Sequence, residues 1–200
     1  MLQHDEDILI NKIKKGDEKA FEVLISMYEQ KIYSIAFHIL KNPEEAYDAA
    51  QEVCIKVWRQ IHNFDGQSKF STWVYRISVN QCLDMIRKNK NNSKNISLFN
   101  EDKEDIGVEF RAASNDNVEE AVERKQLAEV IELGVSELKE DYKVIITLRE
   151  IEEQSYEDIA EVLEISLGTV KSRLSRARQS LRKILGQNKE PYSSFFRHIK

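Results

Sequence analysis

The sequence predicts an all-α chain of two small helical domains joined by a flexible acidic linker. Three observations carry that expectation. Only two prolines and six glycines interrupt 200 residues, few β-branched stretches alternate, and apolar residues recur at intervals of three and four over most of the length. A hydrophobic content of 41% suffices for cores, and 200 residues fit one large or two small domains. The chain divides where its composition shifts. Between Asn89 and Glu120 apolar residues are isolated and irregular, and eight acidic residues stand against four basic ones, so no helix face can be buried there.

Ahead of the linker the helical signals follow in order. Gly16-Asp17 breaks the chain and offers Asp17 as an N-cap. Phe21, Leu24, Ile25, Tyr28, Ile32, Ile35, Ala36 and Ile39 then recur at helical spacing and predict one long core-facing helix. "NPEEA" starts another, with Pro43 at a permitted first position and Glu44 and Glu45 near the positive end of the helix dipole. Its apolar stripe is Ala46, Ala50, Val53, Val57 and Ile61, and its opposite face carries Asp48, Gln51, Glu52, Lys56 and Arg59. A turn-rich loop, "FDGQSKFSTW", leads to a helix from about Ser71 to Lys90, capped by Ser71 or Thr72.

That loop gathers Phe64, Phe70, Trp73 and Tyr75 with Lys69, Arg76 and Asn80 in fewer than twenty residues. Aromatic faces beside cations and amides suit unstacked bases, because stacking tolerates any base and amides read base edges. Aromatics at helical spacing serve equally well as core, and on the residues alone both uses stay open.

Beyond the linker, a helix from about Val118 to Glu132 leads to "LKEDYKVIITLREIE". Ser155 followed by Asp158 three residues later opens the next helix like a capping box. Tyr156, Ile159, Ala160 and Leu163 give it one apolar face, and "EIS" turns the chain toward a last helix capped by Ser166, with the stripe Val170, Leu174, Ala177, Leu181 and Leu185. Two helices joined by a tight turn make a helix-turn-helix, whose second helix enters a DNA major groove. The charge pattern agrees. Between Ser166 and Lys183 lie Lys171, Arg173, Arg176, Arg178, Arg182 and Lys183 with no acidic residue, in a chain of net charge -5. Glu150, Glu152, Glu153, Glu157, Asp158, Glu161 and Glu164 precede them with no intervening cation. A solvated amphipathic helix is the plainer alternative, but general solubility does not require such segregation.

"SYEDIAEVLEISLGTVKSRLSRARQSLR" resembles the -35-reading region 4 of bacterial extracytoplasmic-function (ECF) sigma factors, and "FDGQSKFSTWVYRISVNQCLDMIRK" resembles their promoter-melting region 2. The resemblance runs from Asp5 to about Leu185. It implies a region 2 over residues 1–90, an acidic linker over 91–120, a region 4 over 121–186 and a tail over 187–200. It also implies a subunit that directs core RNA polymerase to promoter DNA, with region 2 on the β′ clamp and the -10 element and region 4 on the β flap and the -35 element. By that resemblance Asp48, Gln51 and Glu52 meet the clamp. Phe64, Lys69, Phe70, Ser71 and Thr72 form a pocket for a flipped -10 base, supported by Trp73, Arg76 and Asn80. Thr169, Lys171, Ser172, Arg173, Arg176 and Arg178 reach the -35 element. The linker would follow the polymerase's RNA exit path, and an anti-sigma factor would restrain the protein. Tyr47, Ala49 and Lys139 depart from the family pattern, and "EEQSY" lacks the glycine usual there.

Two other classes were weighed. A stand-alone DNA-binding regulator would have no use for a base-capturing loop. An enzyme is disfavoured because His4, His38, His62 and His198 are scattered and no metalloprotease, nucleophile-elbow or phosphate-loop motif occurs. Cys54 and Cys82 are too far apart in sequence for a zinc or redox motif and read as buried thiols. No cofactor or metal is expected. With no leader-like or membrane-spanning stretch, a cytoplasmic location is expected.

Overall fold

The computed structural model describes residues 2–95, 128 and 130–187, and all regular structure among them is helical. The first domain comprises α1 (Leu2–Ile13), α2 (Glu18–Ser26), α3 (Glu29–Leu40), α4 (Pro43–Gln60) and α5 (Phe70–Asn95). A 3-10 turn over Ile61–Asn63 follows α4. The second domain comprises a helical segment over residues 130–136, α6 (Glu140–Ile146), a π-helical turn (Thr147–Ile151), α7 (Tyr156–Leu163) and α8 (Leu167–Gln187). Most of the helix expected between Val118 and Glu132, most of the acidic linker and the tail with Tyr192, Phe195 and Phe196 lie outside the described residues, while residues 130–132 are helical as expected.

The helix starts expected at Asp17 and Pro43 are built so, whereas α5 starts at Phe70, which leaves Ser71 and Thr72 inside the helix and not as its cap, the Thr72 hydroxyl having no partner. The Asp17 carboxylate accepts the Ala20 N–H at 3.1 Å. Asn42 Oδ1 accepts from the N–H groups of Glu44 and Glu45 at 2.9 and 3.0 Å, with Pro43 in the first turn. These bonds satisfy donors that a helix start leaves without partners. Gly16, at φ +92°, ends α1.

Three differences from the sequence reading have physical causes. The one long helix expected over Phe21–Ile39 is two helices, α2 and α3, broken at Met27–Tyr28. There the Met27 and Tyr28 N–H groups bond three residues back, to Leu24 and Ile25, a tighter winding than the α-helix. The apolar positions keep helical spacing through the break, so periodicity does not reveal it. Tyr28 is buried, packs edge-on to Phe70 at 5.4 Å and donates its hydroxyl to Glu6 at 2.6 Å. Second, the acidic N-terminal stretch forms α1, which buries Ile10 and Ile13. Third, α5 continues past Lys90 to Asn95.

The core of the first domain lies where α3, α4 and α5 meet. Ile32, Ile35 and Ile39 are fully buried against Ala46, Ala49, Val53 and Val57 and against Val74, Val79 and Cys82. Ala49 is fully buried on α4, whereas Ala50, expected in the core stripe, is half-buried. Cys82 is inert in this setting, since burial pushes its thiol up to about 12.

The two domains share one continuous core, with α3 and α5 packed on α6, α7 and the π-helical turn. Polar contacts line the same seam. Ser34 donates to Glu152 at 2.6 Å, Lys41 to Glu132 at 3.1 Å, Lys69 to Asp158 at 2.9 and 3.1 Å, and Arg76 to Glu164 at 3.1 Å. Lys90 pairs with Glu140.

His38, on α3 beside this seam, packs edge-on to Phe37. Burial, reinforced by the Lys41 ammonium and only partly offset by Glu132, pushes its imidazole down to about 4. The folded chain therefore holds neutral imidazole between pH 4 and 6.5 while the unfolded chain binds a proton there. Stability must fall on acidification through that window. After allowance for partial solvent screening, the loss attributable to His38 is roughly 2 kcal/mol. Urea unfolding across this range should therefore give a shallower pH slope for His38→Gln than for the wild type.

Candidate nucleic-acid interface

The second-domain site is organised by two capped helices and the corner between them. The Ser155 hydroxyl accepts the Asp158 N–H at 3.0 Å and donates to the Asp158 carboxylate at 2.6 Å, closing the box at the start of α7. The turn before it lacks the usual glycine, and Glu153 takes the left-handed conformation at φ +52° instead. Arg149 stabilises this turn by donating to the Gln154 carbonyl at 2.7 Å while its guanidinium lies 5.1 Å from the Tyr156 ring centre. Glu164 ends α7 in the left-handed region at φ +54°. Ser166 then caps α8, accepting the Thr169 N–H at 3.1 Å.

Helical geometry sorts the side chains of α8. Val170, Leu174 and Ala177 are fully buried, which turns Lys171, Ser172 and Arg176 outward, all three exposed. Lys171 and Arg176 make no ion pair among the described residues. Arg173 and Arg178 fall on opposite flanks of the buried stripe, and each meets an acid of its own domain. Arg178 donates to Glu150 at 3.0 and 2.6 Å, and Arg173 lies 3.7 Å from Asp141. Thr169 is half-buried, with its hydroxyl 2.8 Å from that of Ser166.

In the first domain, Gly66 at φ +77° turns the loop that presents Lys69, and Asp65 accepts the Gln67 N–H at 3.1 Å within that turn. The aromatics expected to form a base pocket are largely interior. Phe64 and Phe70 are buried, pack edge-to-face at 5.4 Å, and each lies within 5.6 Å of Trp73. Thr72 is fully buried, its hydroxyl without a hydrogen-bond partner. In the unbound chain, then, Phe64, Phe70 and Thr72 of the expected pocket are interior, and Lys69 and Ser71 are its more accessible members. The two rings pack with each other and with Trp73, and Phe70 also with Tyr28, because so much apolar area is better removed from water. Lys69 and Asn80 are exposed, and Ser71, Trp73 and Arg76 are half-buried.

The ion pairs of Lys69 and Arg76 reach across to α7. Burial alone would raise the Asp158 carboxyl, but hydrogen bonds from Ser155 and Lys69 outweigh it and hold the group below the usual carboxylate range. Lys69 is raised in turn, chiefly by its bond to Asp158.

On α4, Asp48, Gln51 and Glu52 are exposed together. Tyr47, Ile55 and Trp58 extend this face as exposed large apolar side chains, of which Ile55 and Trp58 find no place in the sequence reading. The signal lay in the spacing Tyr47, Gln51, Ile55, Trp58, a second helical stripe beside the core stripe.

Comparison with known proteins decides what these surfaces belong to. Residues 24–92 match the family model described as Sigma-70 region 2, and residues 128–181 match that of Sigma-70, region 4. The ECF RNA polymerase sigma factor SigW of Bacillus subtilis is 38% identical over 182 residues, covering 88% of this chain and 94% of its own. RNA polymerase sigma-H factor of Pseudomonas aeruginosa is 33% identical over 185 residues, covering 92% and 96%. The chain belongs to the ECF sigma factor family. Its fold matches that of RpoE solved with the anti-sigma factor NepR from Bartonella quintana, with a TM-score of 0.67 at 22% identity over 84% of this chain and 98% of that one. CnrH, solved with the cytosolic domain of CnrY, gives 0.66 at 22% identity over 92% and 99%.

As a group 4 ECF sigma factor the protein is a transcription initiation factor, and its region 4 depends on the capped corner just described. Replacing an N-cap serine by alanine costs about 1 kcal/mol. Ser155→Ala and Ser166→Ala should each lower the stability of the sigma factor by about that amount in urea unfolding, with Ser155→Ala the costlier because it also releases Asp158.

Proposed function

We propose that this sigma factor binds core RNA polymerase through the outer face of α4, opens promoter DNA with the 64–80 segment and reads the -35 element with α8. The observation that carries the reading is the outward face of α8, where Lys171, Ser172 and Arg176 stand free of acidic partners on the second helix of a helix-turn-helix. Polymerisation chemistry belongs to core polymerase, and the sigma factor works in the cytoplasm with it.

On α4, Asp48, Gln51 and Glu52 supply polar contacts to the β′ clamp, while Tyr47, Ile55 and Trp58 supply apolar area for it to cover. On the -10 side, Lys69, Ser71, Trp73, Arg76 and Asn80 meet the opened strand, and the buried Phe64, Phe70 and Thr72 hold them in place. Region 4 contacts the -35 element through Thr169, Lys171, Ser172, Arg173, Arg176 and Arg178, and also rests on the β flap. An anti-sigma factor restrains the protein, as suggested by the solved complex of the related RpoE with NepR.

Purification with core polymerase, followed by sequencing of the transcripts it starts, tests the whole reading. Specific start sites with one shared pair of upstream elements are expected. Tight sequence-specific duplex binding by the free monomer would instead mark a stand-alone regulator.

Variants separate the roles. Arg176→Ala should weaken promoter binding on all sequences and flatten its salt dependence, as loss of a phosphate contact does. Lys171→Ala should cost roughly 1–3 kcal/mol and change preference at particular -35 positions, the sign of a base contact. Both effects are read by binding of the reconstituted holoenzyme to promoter variants.

In the first domain, Lys69→Ala with Arg76→Ala should leave core association intact while suppressing permanganate reactivity of -10 thymines on duplex templates. Pre-opened templates should restore much of the transcription. Asp48→Arg with Gln51→Ala should abolish core association and hence transcription from both templates.

A further inference from the structure

Lys14, just past the end of α1, meets neither DNA nor polymerase in the proposed function, yet its side chain reaches a backbone carbonyl 50 positions away. The half-buried ammonium group donates to the Phe64 carbonyl at 2.5 Å. Phe64 opens the -10 loop, in which Asp65, Gly66, Gln67 and Lys69 are exposed between two buried rings, Phe64 and Phe70. The far end of the loop is set by α5, where the Lys69 carbonyl accepts the Trp73 N–H at 3.2 Å. The near end is set by the bond from the Phe64 N–H to Ile61 at 3.2 Å and by Lys14. Between them the chain turns at Gly66, supported by the Asp65 side chain on the Gln67 N–H.

α1 is a firm platform for that reach. Ile10 and Ile13 are buried, and Glu6 accepts the Tyr28 hydroxyl at 2.6 Å. Burial first, and then the bond to Glu6, raise the Tyr28 phenol, so it remains the donor. The Tyr28 ring packs edge-on to Phe70 at 5.4 Å. The first helix is thereby tied to both ends of the loop, to Phe64 directly and to Phe70 through Tyr28. A bond from a charged donor is stronger than one between neutral groups, and partial burial shields it from water. We propose that Lys14 is a positioning residue for base capture, which by fixing the Phe64 carbonyl holds the 64–70 loop so that Lys69 and Ser71 meet an extruded -10 base, without itself touching DNA. This rests on the assignment of that loop to the -10 element. A loop held in its binding form loses less freedom when the base arrives, and that saving appears as affinity.

The test uses the full chain assembled with core polymerase. Fluorescence anisotropy measures its affinity for single-stranded oligonucleotides carrying the -10 non-template sequence of a promoter mapped with the holoenzyme, each base in turn replaced by an abasic residue. In the wild type, replacement of the captured base should weaken binding more than replacement elsewhere. Lys14→Met keeps most of the stem and removes the donor. It should shrink that one penalty roughly three- to tenfold and slow the appearance of permanganate-reactive thymines on duplex templates. The salt dependence of binding should stay as in the wild type, because no phosphate contact is lost. Lys15→Met removes the same charge from the exposed neighbour, and Asn42→Ala removes the cap of α4, lowering stability away from the loop. Both should keep the full penalty. Circular dichroism checks that each variant is folded. A full penalty in Lys14→Met, a flattened salt dependence in that variant, or an equal loss of the penalty in Lys15→Met or Asn42→Ala overturns the proposal. If the wild type shows no such penalty, or if Lys69→Ala with Arg76→Ala melts duplex promoters normally, the -10 assignment fails and the role of Lys14 with it.

Discussion

Asp158 ties the start of α7 to the first domain. It closes the start of α7 through Ser155, and it reaches across the seam to Lys69. A carboxylate so placed must remain charged against the cost of partial burial, and it does so because donors surround it. Asp158 thereby helps to align the helix-turn-helix on region 2, while the shared apolar core and the other seam contacts hold the two together. Without the Ser155–Asp158 box, the start of α7 would lose about 1 kcal/mol of stabilisation and the seam an anchored anion.

The seam combines two kinds of contact with different tolerances. Apolar packing between α5 and α7 is insensitive to salt, whereas the ion pairs of Lys69 and Arg76 are exposed enough to be screened. The seam then depends on ionic strength in its alignment more than in its existence. The same division marks α8, where buried Val170, Leu174 and Ala177 fix which side chains can reach outward. Arg173 and Arg178 take their acidic partners only because the stripe puts them on its flanks.

Left-handed residues set the corners. Glu153 and Glu164 adopt φ +52° and +54° without being glycine, a conformation costing roughly 1–2 kcal/mol for residues of this kind. Arg149 supports the first corner by binding Gln154, and the end of α7 satisfies the second through bonds from the Glu164 N–H to Ala160 and Glu161. The absence of a glycine in "EEQSY" therefore left the turn in place and moved its cost onto neighbouring contacts.

Local chemistry was enough to read much of this from the sequence. Asp17, Asn42, Ser155 and Ser166 cap helices because their short polar side chains sit one step ahead of apolar stripes. The basic run of α8 was legible because charge order is written along the chain. The acidic composition of 89–120 marked a boundary for the same reason. Periodicity could not reveal the break at Tyr28, where the hydroxyl bonds Glu6 and the ring packs on Phe70, both distant in sequence. Nor could it settle the loop aromatics, since a phenylalanine that stacks on a base and one that fills a core are the same residue. Only tertiary packing decided that Phe64 and Phe70 are interior, that α1 covers the end of the bundle, and that Asp158 and Glu164 face Lys69 and Arg76. Such facts join residues about ninety positions apart, and a chain's local preferences carry no information about which distant partner will bury them.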